Sequence, residues 1–489
     1  MTQSRTNTFA VTVAIYLATF VSAIEGTILS TALPTIVGDL HGVSLMNWVF
    51  SIYLLATAMT TPIYGKLADL IGRKPIVQIG LALFTFGSLM SGLSTSMMEL
   101  VFWRAVQGIG AGALPTATVT IIADLYPYEK RPQILGLNNL IWGIATLIAP
   151  LIGGIVVNTF SWHWVFFINI PLRLLIMVIF QFFLYEAGKR TSKVNIDYLG
   201  SFWLMLSVLM LMLSFQFLSY KELNWTNILV FWLISFFALW RFIRHERYAK
   251  EPVVSLHLFK NKPFMVQNAI AALINGYLMA ITVYIPIWVQ GVLGVPVSFA
   301  GYATTPHSIF WILGSFATSY LLIRWTPHRI LRFSLSIVLF AGILLAFIPI
   351  TTQFGWFFII TAISGFGFGI TIVTTTVESQ HLVSKDNVGV ATGFNTLAKT
   401  LGQTLMVSIF GIMLNTGIQH GISIHKGLSL DLINLVINPK TALHLPTDKL
   451  PILRQVLYGG LHWVYLLGVL IILLAIIINK IGYRTNKQP

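Results

Sequence analysis

Gly65-Lys66-Leu67-Ala68-Asp69-Leu70-Ile71-Gly72-Arg73-Lys74 is a short polar interruption between two apolar runs, 47–66 and 75–94, each long enough to cross a bilayer. Its glycines permit a tight turn with close helix approach. Asp69 can cap a helix end or pair with a basic residue of a neighbouring bundle, and the three basic residues assign the loop to the cytoplasmic side. A loop of this kind has meaning only if the flanking runs are membrane spans, so the first question is how far that pattern extends.

It extends over the whole chain. Besides those two runs, spanning stretches occur at 9–33, 98–124, 133–157, 162–185, 198–219 and 226–243, and then at 265–289, 297–323, 330–350, 354–377, 388–415 and 461–480. That predicts fourteen helices. Of the 489 residues 56% are hydrophobic and only 9% are charged, where a soluble domain carries about 25% charged residues. A water-soluble globule is thereby excluded. The chain has no cysteine, which removes disulfides, thiolate metal sites and thiol nucleophiles from consideration. The first run is too long for the apolar core of a secretory signal and is read as a retained helix.

The net charge of +15 would suggest nucleic acid if it formed one solvated face, but the charges are dispersed between apolar runs. With an even number of spans and a cytoplasmic N-terminus, 22 of the 30 Lys and Arg fall in loops and termini on the inner side and five on the outer; Arg104, Arg173 and Lys399 lie within spans. That bias follows the positive-inside rule, predicts that both termini are cytoplasmic, and leaves no need for a nucleic-acid partner.

Six spans precede residue 190 and six follow 264. The expected organisation is an N-terminal six-helix bundle at 1–190 and an inserted transmembrane hairpin at 191–244. A cytoplasmic interfacial linker at 245–264 and a C-terminal six-helix bundle at 265–489, with an external loop at 416–460, complete it. Two equal bundles around a central site are a transporter architecture.

Small residues recur where helices would pack closely: Gly108, Gly110 and Gly112 after Arg104 in the fourth span, and Gly143, Pro150, Gly153 and Gly154 in the fifth. A nucleotide loop is the rival reading of the first set, and of Gly365, Gly367 and Gly369, but the strand, helix N-terminus and Lys-Ser/Thr pair such a loop requires are missing. The loop Gly65, Asp69, Gly72, Arg73, Lys74 resembles the loop signature of the major facilitator superfamily. The glycine runs look like its fourth-span motif and its antiporter motif, with Ala149 where Gly is common. With Glu25-Gly26-Thr27-Ile28 running to Ala32-Leu33-Pro34, Trp162 to Pro171 and the fourteen spans, the chain resembles the fourteen-helix drug:proton antiporters of that superfamily. The resemblance covers nearly the whole chain outside 416–460. It implies an all-α major facilitator fold, no cofactor, and a proton gradient as energy source.

Charges at mid-bilayer cost about 2.5–3.5 kcal/mol on insertion scales, so each needs a partner, a watery cavity or a function. Glu25, where the family usually has Asp, lies ~13 Å from the outer end of its span, and Arg104 lies ~9 Å from the same side, near enough in depth for an ion pair. Glu25 is the expected proton carrier, with Arg104 as its alternating partner. Lys399, ~16 Å inside the thirteenth span, stands where the family often has Arg. His307 is a weaker relay candidate, and Arg173 and Glu378 are expected near span ends, where a long side chain can snorkel. Tyr53, Asn138, Trp142, Asn275, Tyr277, Tyr284, Trp288, Gln290, Phe394, His307 and Lys399 are candidates to line a cavity, since aromatic faces attract lipophilic cations.

The second half has no deep carboxylate comparable to Glu25, which favours monovalent cations or neutral amphiphiles over divalent cations. The expected protein is a monomeric, multi-pass exporter in the plasma membrane, with lipophilic small molecules, protons and the bilayer as partners. The alternatives are export of one lipid, peptide or metabolite, sodium in place of protons, or a membrane sensor. No catalytic pair or metal cluster suggests an enzyme.

Overall fold

A computed structural model describes residues 6–126, 131–185, 197–218, 225–249, 256–383, 388–425, 428–443, 445–446 and 448–485. Among them all regular structure is helical, as hydrocarbon demands of a spanning chain, because a helix satisfies its own N–H and C=O groups where no water can. In chain order the helices are α1 (Thr8–Leu40), α2 (Trp48–Ile71), α3 (Arg73–Gly92), α4 (Met97–Ala111), α5 (Ala113–Leu125), α6 (Arg131–Thr159), α7 (Trp164–Phe167), α8 (Asn169–Phe183), α9 (Tyr198–Leu218) and α10 (Trp225–Glu246). They continue with α11 (Lys262–Thr282), α12 (Tyr284–Ile287), α13 (Val297–Ala300), α14 (Thr305–Arg324), α15 (Pro327–Ala346), α16 (Gly355–His381), α17 (Val388–Ile424), α18 (Leu430–Ile437), α19 (Pro439–Ala442) and α20 (Leu450–Thr485).

Among the described residues 13 helical stretches are long and apolar enough to cross a membrane. The 29-residue α6 covers the remaining expected span, 133–157. Several spans are built from two pieces: α4 and α5 meet at Gly112, which keeps helical angles, and α7 and α8 meet at Ile168 in the same way. A π-helical turn, Trp288–Val292, follows α12. Pro286 just before it donates no backbone N–H, so the regular ladder is already interrupted where the wider turn forms.

The stretch 416–460, expected as a loop, is largely helical. α17 runs on to Ile424, α18 and α19 lie within the stretch, and α20 begins at Leu450. Pro439 is the first residue of α19 and Pro451 the second of α20, positions where a missing N–H costs no hydrogen bond. Of the expected linker 245–264, residues 250–255 lie outside the described residues; Leu256–Lys260 forms a 3-10 turn whose Leu258 packs with Phe264 and Ala391.

The chain divides into two compact units, one of Met1–Leu29, Trp48–Met210 and Leu233–Val253, the other of Ser30–Asn47, Leu211–Trp232 and Val254–Pro489. In the first, Val11, Ile15, Val77, Leu81, Ile121 and Phe180 join α1, α3, α5 and α8 in one apolar core. A Cβ at Gly108 would lie 2.5 Å from the Tyr53 carbonyl oxygen, and one at Gly110 would collide with the backbone of Phe84. The glycines of the fourth span therefore serve close backbone approach. Asp197 accepts from Gly200 N (2.7 Å) and from His245 Nε2 (2.6 Å), tying the start of α9 to the end of α10. In the second unit α14 and α16 approach as closely, the backbone of His307 and of Trp311 filling the space beside Gly365 and Gly369.

Candidate functional site

Glu25 sits mid-way along α1 and Arg104 mid-way along α4, with side chains 1% and 0% exposed. Arg104 Nη1 forms an ion pair with Glu25 Oε1 and also donates to Gln107 Oε1 at 2.7 Å. Arg104 Nε donates to the Val49 carbonyl at 3.1 Å, and the Tyr53 ring lies 4.1 Å from the guanidinium carbon. Gln107 in turn donates to Ser88 Oγ (3.3 Å), which donates to the Phe166 carbonyl (2.9 Å). Residues of five helices, α1, α2, α3, α4 and α7, therefore build the chain of contacts that holds one guanidinium at one carboxylate. Glu25 Oε2 and Arg104 Nη2 are buried with no hydrogen-bond partner.

Such a pair is expensive to desolvate, and it holds only because attraction in a dry interior and several additional hydrogen bonds offset the cost.

Arg173 departs from the expectation that it lies near a span end. It is the tenth residue of the 20-residue span Trp164–Phe183 and is 0% exposed. Snorkelling has no route from mid-span, so the guanidinium instead stacks on the Phe84 ring at 3.3 Å and donates from Nη2 to Ser22 Oγ at 3.1 Å. Its place half-way between Trp164 and Phe183 was the available sequence signal. Gln107 and Ser22 carry no such signal; ordinary polar side chains gain their role only from what packs opposite. Glu378 stands three residues from the end of α16.

At the loop between α2 and α3, Gly72 has φ +99°, a left-handed conformation that glycine adopts without strain, and it turns the chain from one helix into the next. Arg73 forms an ion pair with Asp124 at the end of α5. Lys74 Nζ donates to the Gln181 carbonyl at 2.6 Å and lies 5.6 Å from the Tyr185 ring. The surroundings of Gly65, Asp69 and Pro150 lie outside the described residues. Gly143, Gly153 and Gly154 are buried in α6, Asn138 accepts from Thr19 Oγ1 at 2.7 Å, and Trp142 is 38% exposed.

In the second unit Trp288 is fully buried, its ring 5.2 Å from Tyr458, 5.6 Å from Tyr465 and 5.9 Å from Phe357. Tyr284 donates its hydroxyl to Asn47 Oδ1 at 2.6 Å, Gln290 Nε2 donates to the Thr31 carbonyl at 3.1 Å, and Asn275 Nδ2 donates back to Ala271 at 2.8 Å. Tyr277 is buried beside Gly468. Trp288 Nε1, Tyr465 Oη and Gln290 Oε1 have no hydrogen-bond partner, leaving an aromatic enclosure with unused polar atoms. Tyr458 and Tyr465 joined it from α20, where nothing in their apolar context set them apart. His307 packs on Phe368 (5.5 Å) and Trp311 (6.2 Å). Phe394 packs on Phe264 (5.3 Å) and Phe259 (5.5 Å). Lys399 Nζ donates to Thr376 Oγ1 at 2.6 Å. Among the described residues no three His, Asp or Glu side chains converge as a metal site would require.

Comparison with known proteins matches residues 15–407 to the profile of the Major Facilitator Superfamily. The chain is 34% identical over 412 residues to Multidrug resistance protein 3 of Bacillus subtilis (strain 168), covering 84% of this chain and 80% of that protein. It is 30% identical over 430 residues to the multidrug efflux pump SdrM of Staphylococcus aureus (strain N315), covering 85% and 92%. Among solved structures, a bacterial homolog of the human lysosomal transporter Spinster superposes with TM-score 0.67 at 17% identity over 98% of this chain and 96% of that one. A D-xylose-proton symporter superposes with TM-score 0.60 at 14% identity over 96% and 97%.

Proposed function

The chain belongs to the major facilitator superfamily, a transporter and not an enzyme family, and from that premise we propose that it exports lipophilic, monovalent cationic or neutral drugs in exchange for protons. Transport runs by alternating access between two six-helix bundles, 1–190 and 265–489, in the cell membrane, with both termini cytoplasmic and the monomer as the working unit. No cofactor takes part; the proton gradient supplies the energy.

The observation that carries this reading is the Glu25–Arg104 ion pair, buried to 1% exposure or less in the first unit. A structural element with no titration to perform would be cheaper to build from apolar side chains of similar volume, because burying two charges costs several kcal/mol per ion before their attraction is counted. Drug export is supported by the names of the bacterial relatives, a multidrug resistance protein and a multidrug efflux pump.

The test is uptake of dyes and antibiotics into inverted vesicles under an imposed pH gradient, native protein against Glu25→Gln. Native vesicles accumulate the dye and collapse of the gradient releases it. Glu25→Gln, inserted to the same level, loses gradient-driven uptake. Undiminished uptake by that variant overturns the assignment of Glu25, and absence of uptake of any lipophilic dye by native protein overturns the drug assignment.

A further inference from the structure

Arg173 is a buried charge that the Glu25–Arg104 pair does not account for. Its guanidinium, 0% exposed, makes one hydrogen bond, from Nη2 to Ser22 Oγ, and stacks on Phe84. Nε and Nη1 are buried with no hydrogen-bond partner. Ser22 and Glu25 are three residues apart on α1, one above the other on the same helix face, about 4.5 Å apart along the axis. Glu25 Oε2, the carboxylate oxygen that Arg104 leaves unbonded, is itself a buried acceptor with no partner. Unused donors and an unused acceptor thus stand one helical turn apart in the same unit.

We propose that Arg173 is a positioning residue that acts through Glu25: a second counter-charge that receives the carboxylate when Arg104 disengages and sets the pH at which Glu25 exchanges its proton. This rests on the reading of Glu25 as proton carrier. The charged and titratable groups facing Glu25 are Arg104 from α4, Tyr53 from α2 and Arg173 from α8; α3 contributes Phe84 and Ser88, which carry no charge. In the proposed exchange the carboxylate is held by Arg104 first and by Arg173 after it. When Glu25 takes up a proton, both positive charges lose their counter-ion together, so the second arginine makes the loaded state harder to reach and its release sharper. A purely structural arginine, clamping α8 to α1 through Ser22, would strengthen packing without touching the pH response.

The experiment measures drug uptake in proteoliposomes at a constant imposed pH difference while the absolute pH is stepped through the neutral range. Arg173→Gln shifts the midpoint of the profile upward by about one pH unit, since a nearby positive charge lowers a carboxylate's affinity for protons by one to three units. Arg173→Lys, which keeps the charge, returns the midpoint toward native. Ser22→Ala, a small change on α1, frees Nη2 to turn toward Glu25 and moves the midpoint downward. An inserted Arg173→Gln with a native midpoint overturns the proposal. If Arg173→Gln does not insert, an unchanged midpoint in Ser22→Ala overturns it. Glu25→Gln separates the two readings: if that variant still couples, the assignment of Glu25 fails, whereas an inactive Glu25→Gln beside an unshifted Arg173→Gln removes only the role of Arg173 as second counter-charge.

Discussion

Arg104 Nη1 meets Glu25 Oε1 in an ion pair at the centre of the first unit, and the same guanidinium is held from behind by the Val49 carbonyl at 3.1 Å and from the side by Gln107 at 2.7 Å. The three contacts fix the charge on one side of α1. Each partner keeps one buried polar atom without a hydrogen bond, Glu25 Oε2 and Arg104 Nη2.

Removing Arg104 strands a carboxylate in a dry interior. Arg104→Ala is therefore expected to lose about 3–5 kcal/mol of stability, while Arg104→Ala combined with Glu25→Ala recovers part of that loss. Thermal unfolding in detergent of the two single variants and the double variant measures the coupling. Strict additivity would contradict the pairing.

Gly110 and Gly26 make a contrasting pair. A Cβ at Gly110 collides with the Phe84 backbone, whereas one at Gly26 meets nothing within 4 Å. Gly110→Ala should cost about 1–3 kcal/mol through forced helix separation. Gly26→Ala should be neutral or stabilising by up to ~1 kcal/mol, because alanine is the better helix former. The same thermal assay reads both, and equal effects would remove the packing argument.

The ion pair of Arg73 with Asp124 is partly exposed, at 12% and 38%. Its direct contribution is expected to stay below ~1 kcal/mol and to fall with salt. Transport should respond more than stability: Arg73→Asp slows vesicle uptake, and adding Asp124→Arg restores it by exchanging the charges. A double variant no better than Arg73→Asp alone would show that the loop works without this contact.

Trp288 fills the enclosure in the second unit while its Nε1 goes unbonded. Trp288→Ala should cost about 3–5 kcal/mol by opening a cavity. Trp288→Phe keeps an aromatic face and removes a donor that has no partner, so it should cost much less. Unfolding of the two variants decides this, and dye affinity measured by fluorescence should fall further in Trp288→Ala than in Trp288→Phe.

The helices, their number and the mid-helix positions of Glu25 and Arg104 were legible because they depend on local quantities: the length of an apolar run, its interruptions, and the count of residues from a span's end. The glycines of α4 were equally legible as packing positions. Arg173 was misread although its residue count placed it mid-span, since a lone basic residue says nothing of the Phe84 and Ser22 that wait for it. The helices within 416–460 were misread for the opposite reason. Short helices need no long unbroken apolar run, and Pro439 and Pro451 occupy helix starts, where a missing N–H costs nothing.

Composition and periodicity alone determined that this chain is a bundle of membrane helices with an acid and a base inside its apolar runs, because hydrocarbon imposes its terms on every residue separately. Only the tertiary structure decided which charge meets which. That Glu25 bonds Arg104 through one oxygen, that Arg173 rests on Phe84 and Ser22, and that Trp288 is enclosed by Tyr458 and Tyr465 all depend on how helices far apart in the chain are rotated and packed. A rotation of one helix by a single residue, about 100° around its axis, would exchange these partners without altering any local property of the sequence.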